Sequence, residues 1–308
     1  MITRDQCPVC DTPAEKPVLR VPFDDQALQS YLQAIGFGLP ADWFLGFDYS
    51  LQECPRCGLL YQRHALEPSQ SQVLYGASDA CPRLTEDHAL SALAHLAEDA
   101  VLVRQLLGGG RPRVLDFGMG WGRFAMLAQA FGCEVHGVEM SVAAARHGQE
   151  HGIHLRDLSE LQAGEFDFIL IDQVLEHLDA PLPLFQTLAC SLKPGGLLLL
   201  GVPGHRSLPA KIRAGAGHPA PVSRLSHRDI DALSPMIHLN LFSNRSLREL
   251  ASRAGLEIFS VPLGKTLGSG MLWNSLRQWN RTPLLAMKYR WAIGTRIWLR
   301  KRQGGFPG

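Results

Sequence analysis

Apolar and polar positions along the chain follow two periods, one typical of buried strands and the other of helices. Short continuous apolar runs cover 166–171 and 197–202, and a third begins at Val114. Such runs are typical of strands buried on both faces of a parallel sheet. Over 87–107 and 182–192, apolar residues instead recur at helical spacing. Strands that alternate with helices predict an α/β domain built on a doubly wound, mainly parallel sheet.

The strand that begins at Val114 runs into a glycine-rich turn and then into a helix. Asp116 ends the strand, and three glycines follow at alternate positions, Gly118, Gly120 and Gly122. Glycines let backbone N–H groups approach a ligand where a Cβ would clash, and the first crevice of an open α/β sheet is a common ligand site. The G-x-G-x-G spacing departs from the dinucleotide fingerprint, so it favours S-adenosylmethionine over NAD.

Two acidic residues fit the same cofactor. The carboxylate of Asp116 would face the positively charged amino-acid end of S-adenosylmethionine, whereas it would repel a pyrophosphate. Glu139 ends the next strand and is suited to a bidentate grip on two ribose hydroxyls. An NAD-linked oxidoreductase is therefore the less favoured interpretation.

Three stretches, 114–122, 137–141 and 166–178, together resemble class I S-adenosylmethionine-dependent methyltransferases in order and spacing. The resemblance implies a Rossmann-like methyltransferase domain over 85–262. It also implies that Asp157 receives the adenine amino group and that Gln173 contacts the methionine part of the cofactor. From the residues alone, a surface turn is the alternative role for Asp157, because turns favour Asp.

Four cysteines precede this domain in two C-x-x-C pairs, Cys7 with Cys10 and Cys54 with Cys57. Each pair can place two thiolates on one tetrahedral ion through a tight turn, so the pattern predicts a closed structural zinc site. Unligated cysteines or two redox pairs are the alternatives. Residues 1–80 are thus expected to form a zinc-ribbon module, with an aromatic insertion between the pairs that packs on the module or covers the substrate pocket.

The second cysteine pair and its surroundings, 51–61 with 74–76, resemble the zinc-binding N-terminal part of methyltransferases of sugar, glycan and natural-product biosynthesis. Deoxysugar C-methyltransferases are among them. Those enzymes carry a His-Glu-His and Tyr cluster of which this chain keeps only His238. The loss favours methyl transfer to oxygen or nitrogen.

Three histidines are candidates for a catalytic base, which a hydroxyl acceptor would need: His177, His205 and His238. We favour His238 and then His205, because the insertion 206–240 is expected to fold over the acceptor pocket as a cap. A hydrogen-bonded structural role is the alternative for each. Ubiquinone-pathway O-methyltransferases, which this region resembles, gather an acid and a Glu-His pair around a cation. Here neutral Gln173 takes the first position, which argues against a metal.

The composition is that of an ordinary globular chain, with 308 residues, 46% hydrophobic content and a net charge of +1. No apolar run is long enough to span a bilayer and no secretory signal is evident, so a cytoplasmic location is expected. Length and composition allow one α/β domain with additions.

The charge is unevenly distributed, because no Asp or Glu occurs from Ile258 onward while Lys and Arg accumulate there. Four of the six tryptophans also lie in this part of the chain, Trp273, Trp279, Trp291 and Trp298. The pattern predicts a basic helical tail over 263–308. One interpretation is a peripheral anchor on the inner membrane face, and the other is packing against the domain or a second subunit. No recognition motif favours nucleic acid.

The sequence therefore predicts a methyltransferase that acts on a small-molecule, sugar, glycan or lipid-linked acceptor. The alternative is a zinc-containing binding or scaffold protein that retains a degenerate methyltransferase fold. The intact set of Asp116, Gly118, Gly120 and Glu139 argues against degeneracy. The oligomeric state stays open between a monomer and a homodimer.

Overall fold

The computed structural model describes residues 1–34, 40–67, 69–71, 86–204, 212, 233–266 and 296–303. The described residues form two compact units. The first unit draws on Met1–Ala80, Val174–Leu182 and Pro203–Leu250, and the second on Cys81–Gln173, Pro183–Val202 and Ala251–Gly308.

The helices and strands of the described residues are, in chain order, β1 (Ile2–Thr3), β2 (Leu19–Pro22), α1 (Gln26–Ala34), β3 (Asp48–Glu53), β4 (Leu60–Gln62), β5 (His64–Ala65), α2 (Glu86–Leu107), β6 (Arg113–Phe117), α3 (Arg123–Ala130), β7 (Glu134–Val138), α4 (Val142–Glu150), β8 (His154–Leu155), β9 (Phe166–Asp172), α5 (Pro181–Ser191), β10 (Leu192–Gly201), β11 (Asn240–Leu241), α6 (Asn244–Arg253), β12 (Leu256–Ile258), α7 (Leu263–Thr266) and β13 (Arg296–Lys301). Short 3-10 helices cover Ala41–Phe44, Leu158–Glu160 and Leu175–His177.

The first unit contains a four-stranded antiparallel sheet in the order β11-β4-β3-β2 and a separate pair, β1 with β5. Its core includes the aromatic residues expected between the cysteine pairs. Tyr49 and Phe44 are buried, and the Phe44 ring lies 4.5 Å from that of Phe23. The described part of the aromatic insertion thus packs on the strands of its own unit.

The second unit is a seven-stranded sheet in the order β12-β13-β10-β9-β6-β7-β8. The strands from β10 to β8 pair in parallel, so their carboxyl ends meet at one edge. At that edge Asp116 pairs in register with Gly137 of β7 and with Leu170 of β9. The central apolar runs are almost fully buried, as the continuous pattern of 166–171 and 197–202 predicts.

The prediction of a helical tail over 263–308 is wrong at Arg296–Lys301, whereas Leu263–Thr266 is helical and 267–295 lie outside the described residues. Arg296–Lys301 is a strand inserted between β10 and β12 and antiparallel to both. Its three central residues are all buried: Ile297 and Trp298 are each 2% exposed, and Leu299 is inaccessible. For Trp298, the structure therefore agrees with the alternative in which this part of the chain packs against the domain.

The other expected tryptophans of the tail, Trp273, Trp279 and Trp291, lie outside the described residues. In the part of the chain that the structure describes, no helix has both the length and the apolar character needed to cross a bilayer.

Candidate functional site

The glycine turn after β6 is shaped by three left-handed glycines. Gly118, Gly120 and Gly122 have φ angles of 71°, 52° and 70°. This backbone course directs successive N–H groups towards the next strand and its end: Gly118 N–H donates to Val138 O at 2.9 Å, and Gly120 N–H donates to Glu139 at 2.8 Å. A side chain at these positions would be strained, so the turn requires glycine.

Glu139 is held in place by two backbone donors. Its Oε2 accepts from Gly120 N–H and its Oε1 accepts from Ser141 N–H, both at 2.8 Å. Ser141 in turn caps α4, with its hydroxyl accepting from Ala144 N–H at 3.3 Å. A carboxylate has about four acceptor positions, so each oxygen retains capacity for a hydroxyl donor. Glu139 is therefore oriented before any ligand binds.

Asp116 is almost completely buried, with 4% exposure, and carries a strongly perturbed carboxyl. Its pKa is raised to about 7, first by burial and then by the negative charges of Asp172 and Glu139, while a hydrogen bond from Ala125 N–H opposes the rise. A cationic group beside these carboxylates would favour the ionised form. The site is thus an anionic pocket that suits a positively charged ligand.

Arg296, which sequence reasoning placed in the tail, partly balances this charge. Its Nη1 donates to the buried carboxylate of Asp99 at 2.7 Å, and its Nη2 lies 3.5 Å from Asp172 Oδ2. Burial raises the pKa of Asp99 to about 6, and the arginine opposes that rise. Asp172 also lies against Gly201, where a Cβ would overlap its Oδ1. The last strand therefore supplies a cation beneath the acidic edge of the sheet.

The pH dependence of ligand binding tests the perturbed carboxyl of Asp116. Between 3.8, its ordinary pKa, and about 7, the unfolded chain is ionised while the folded protein binds a proton. The stability of the ligand-free protein should therefore fall as pH rises through this window, and a cationic ligand should bind more weakly as pH falls below 7. We expect S-adenosylhomocysteine, which carries an ammonium group, to bind roughly fivefold to tenfold more weakly near pH 6 than near pH 8.

Asp116→Asn provides the comparison for that titration. The variant should bind poorly at both pH values, lose the pH dependence, and be about 1–3 kcal/mol more stable than the ligand-free wild type near pH 8. Calorimetry and thermal unfolding at the two pH values measure both effects. A wild-type affinity that stays constant between them would contradict the assignment of Asp116.

The two remaining residues expected at the cofactor are exposed. Asp157 is the N-cap of the 3-10 helix Leu158–Glu160, and its N–H donates to Glu160 Oε2 at 3.0 Å. Gln173 has a left-handed φ of 59°, a conformation that is uncommon for non-glycine residues. The turn role that the sequence left open for Asp157 is therefore observed, and its adenine contact stays a prediction.

In the first unit, the four paired cysteines form one compact buried cluster. The Sγ atoms lie within 4.8 Å of one another, with Cys7 to Cys57 at 3.6 Å and Cys10 to Cys54 at 3.4 Å. Tetrahedral Zn–S bonds of about 2.3 Å place thiolates about 3.8 Å apart, so the observed separations fit one ion. The hydrogen bond between the thiols of Cys7 and Cys57 lowers the pKa of Cys7 and raises the pKa of Cys57.

The two cysteine turns have the same backbone course. The residue after each pair, Asp11 or Gly58, is left-handed, with φ of 56° and 69°. Its N–H donates to the carbonyl of the first cysteine, to Cys7 O at 2.9 Å and to Cys54 O at 2.8 Å. This repeated tight turn brings both thiols of each pair to the same side, as the spacing predicts.

A second cluster in the same unit joins two of the candidate bases. One ligand atom from each of Glu176, His177 and His238 lies within 4.8 Å of the others, and the two imidazole rings are 5.1 Å apart. His177 Nδ1 lies 3.0 Å from Ile237 O and must donate, because a carbonyl only accepts. Burial lowers the pKa of His177, so the neutral ring is favoured. His205 and most of 206–240 lie outside the described residues.

A family model described as a methyltransferase domain matches residues 87–261, more than half of the chain. The chain belongs to this methyltransferase family. The match covers the strand, glycine turn and acidic residues of the second unit, and the order of the seven-stranded sheet agrees with the class I methyltransferase fold.

Individual relatives of this methyltransferase are distant. The ubiquinone biosynthesis O-methyltransferase of Xanthomonas campestris pv. campestris (strain B100) is 34% identical over 122 residues, which are 36% of this chain and 50% of that protein. The chain thus spans about half the length of that relative. Two solved structures are similar to this chain. The plantazolicin methyltransferase BpumL in complex with SAH has 17% sequence identity and a TM-score of 0.48, and the match covers 77% of this chain and 91% of that one. The 1,6-didemethyltoxoflavin-N1-methyltransferase of Burkholderia thailandensis has 16% sequence identity and a TM-score of 0.45, and the match covers 82% of this chain and 96% of that one.

Proposed function

We propose that this methyltransferase transfers a methyl group from S-adenosylmethionine to an oxygen of its acceptor. The observation that carries the proposal is the pre-oriented pair of acids at the glycine turn. Asp116 is a buried carboxyl with a raised pKa, suited to a cationic amino-acid group, and Glu139 is fixed by Gly120 and Ser141 with capacity left for ribose hydroxyls.

Exposed apolar side chains support a purine beside this pair. Met140 directly follows Glu139 and is 80% exposed, and Leu158 directly follows Asp157 and is 37% exposed. Large exposed hydrophobic side chains next to polar ligand groups are typical of a binding surface. We assign Met140 and Leu158 to the adenine ring and Asp157 to its amino group.

The cofactor supplies an activated methyl group, so the chain's residues must mainly align and enclose the reactants. A hydroxyl acceptor also requires a proton acceptor. We assign this role to His177 and His238 together. With Nδ1–H donated to Ile237 O, the lone pair of His177 is on Nε2, which lies 3.7 Å from buried Glu176 Oε1. The carboxylate would stabilise the imidazolium that forms.

Oxygen is favoured as the methylated atom for two reasons. The ubiquinone biosynthesis relative is named an O-methyltransferase, and a proton-accepting histidine cluster is useful for a hydroxyl but unnecessary for a neutral amine. The proposed acceptor is a small molecule, a sugar or glycan, or a lipid-linked compound. Incubation with S-adenosylmethionine and a panel of phenols and sugars, followed by mass spectrometry, should reveal an O-methylated product. Methylation of amines only would contradict the choice of oxygen.

We further propose that the four-cysteine cluster holds one structural zinc ion. Four buried thiols at tetrahedral spacing leave no position for a substrate, so the ion would stabilise the fold and take no part in methyl transfer. The histidine cluster, with one carboxylate and two imidazoles, resembles transition-metal sites in its donor set, and the Nδ1–H tautomer of His177 suits either proton transfer or metal binding at Nε2. Metal stoichiometry separates these alternatives.

Replacing Cys54 with serine should remove the metal and unfold the first unit. Loss of a structural zinc site removes a large part of a small module's folding free energy, so we expect a melting-temperature decrease of at least about 10 °C. Elemental analysis should give one zinc per chain in the wild type and almost none in Cys54→Ser. Cys190→Ser, a change at an exposed cysteine, is the matched control and should retain the metal. Two metal ions per wild-type chain would instead implicate the histidine cluster.

A further inference from the structure

The buried side chain of Arg4 lies at the centre of a hydrogen-bond network in the first unit. Arg4 is 8% exposed. Its guanidinium donates to Gln62 O at 2.8 Å, to Asn240 Oδ1 at 2.9 Å, to Leu239 O at 2.8 Å and to Asp179 O at 3.2 Å. Burial lowers the pKa of Arg4 to about 10, still far above neutrality. A buried guanidinium with this many acceptors fixes several segments at once.

Asn240 connects Arg4 to the Glu176–His177 turn through hydrogen bonds. It is completely buried, and its Nδ2 donates to Leu175 O at 3.0 Å and to Leu178 O at 2.6 Å. These carbonyls flank Glu176 and His177 on both sides. The amide oxygen faces Arg4 and the amide nitrogen faces the turn, so the two contacts fix the orientation of Asn240.

Gln62 acts in the same way on the segment that contains His238. Its Nε2 donates to His238 O at 2.8 Å, and its Oε1 accepts from Met236 N–H at 3.2 Å. The carbonyl of Ile237, between these two residues, receives the Nδ1–H of His177. The backbone on both sides of Ile237 is thereby held in the position that sets the His177 tautomer.

Arg4 and Gln62 lie close in sequence to the two cysteine pairs. Arg4 precedes Cys7 by three residues, and Gln62 follows Cys57 by five. Arg4 N–H donates to Arg63 O at 2.8 Å, and β1 pairs with β5 beside it. One ion bound by all four cysteines would fasten together the two segments from which Arg4 and Gln62 reach the histidine cluster.

We propose that Arg4, Gln62 and Asn240 are positioning residues through which the four-cysteine module orients Glu176, His177 and His238. The module is thus a scaffold for the proton-accepting cluster, beyond its role in stabilising its own fold. The inference rests on the proposed function for the meaning of the cluster, but its geometry can be tested without an acceptor.

The test observes the imidazole nitrogens of the zinc-loaded full chain by ¹⁵N NMR, with His177 and His238 assigned through His→Asn variants. In the wild type, His177 should show the Nδ1–H tautomer with a slowly exchanging proton. In Arg4→Met and in Asn240→Asp, that proton should exchange at least about tenfold faster, because a buried hydrogen bond loses its fixed acceptor. Zinc content and affinity for S-adenosylhomocysteine should stay within twofold of the wild type.

Arg63→Met is the matched control. It removes the same charge from a half-exposed side chain whose guanidinium pairs with Asp5 at 2.7 Å. Its His177 signal should be that of the wild type. An unchanged His177 signal in Asn240→Asp would overturn the proposal.

Zinc removal from the wild type by a chelator gives a second reading if Arg4→Met fails to fold. Because we expect the first unit to lose its fold without the metal, the His177 tautomer signal should be lost on zinc removal and return when zinc is restored. A His177 signal that persists in the zinc-free chain would also overturn the proposal. If the untreated wild type does not bind S-adenosylhomocysteine, the proposed function would be refuted, while the proposed positioning network would stand.

Discussion

Glu139→Ala should weaken the binding of S-adenosylhomocysteine by about 100-fold or more. The change would remove the two charge-assisted hydrogen bonds that we propose between Glu139 and the ribose hydroxyls, each contributing about 1.5–3 kcal/mol. It also releases Gly120 and Ser141, whose N–H groups lose their shared acceptor. Both effects act on the same turn, so we expect the largest functional loss of any single substitution in the second unit. Titration calorimetry at pH 8 measures it.

Glu150→Ala is the control for this variant. Glu150 is an exposed carboxylate at the end of α4 that pairs with Arg146 at 3.1 Å on the helix surface. Its removal changes the net charge by the same amount and should leave affinity within twofold, because exposed pairs contribute little. If Glu139→Ala and Glu150→Ala bind S-adenosylhomocysteine with equal affinity, the assignment of Glu139 to the ribose hydroxyls would be contradicted.

Trp298→Ala should produce the largest loss of stability in the second unit. Trp298 is 2% exposed on the strand between β10 and β12, and its ring lies 5.7 Å from that of Phe168 at the centre of the sheet. Truncating a buried tryptophan costs roughly 3–5 kcal/mol through lost burial and the cavity it leaves. We expect the melting temperature to fall by about 10 °C.

Phe131→Ala is the control, because Phe131 is an aromatic residue of the same unit with 41% exposure. It should cost less than about 1 kcal/mol. A tail that lies on a membrane surface would predict the opposite ranking for the purified protein, since Trp298 would then be exposed in solution. A melting temperature that Trp298→Ala leaves unchanged would contradict its place in the core.

Much of the second unit follows from local patterns in the sequence. The helix from Glu86 to Leu107, the strand before the glycine turn and the Ser141 cap all lie where spacing and capping chemistry predict them. The acids at the carboxyl ends of β6 and β7 are likewise predictable, because parallel strands bring these ends together. The paired cysteines are also predictable from local sequence, since the residues next to each pair determine its turn.

The C-terminal strand was mispredicted because its local signal is ambiguous. Arg-Ile-Trp-Leu-Arg-Lys combines basic ends with an apolar centre, a composition shared by surface helices and by strands with charged termini. The choice between helix and strand depends on pairing with the neighbouring strands of the sheet. Arg296 finds its partner Asp99 at a separation of 197 residues, and Arg300 finds Glu257 on the neighbouring strand. Such pairs depend on strand order, which local periodicity does not encode.

The network around Arg4 lies beyond sequence reasoning for the same reason. An arginine near the N-terminus of the chain has no local feature that marks it as buried, and arginine is usually exposed. Its acceptors come from three separate segments, near Gln62, Asp179 and Asn240. The histidine cluster was only partly anticipated, because the pairing of His177 with His238 requires the same tertiary arrangement.

Titration calorimetry of the purified chain with S-adenosylmethionine, S-adenosylhomocysteine and NAD tests the central claim most directly. We predict one binding site per chain for the first two ligands and no binding heat for NAD, on a sample whose zinc content is determined in parallel. Binding of NAD alone would contradict the cofactor assignment. A folded, zinc-loaded protein that binds none of the three would contradict the enzymatic function and favour a scaffold that retains the methyltransferase fold.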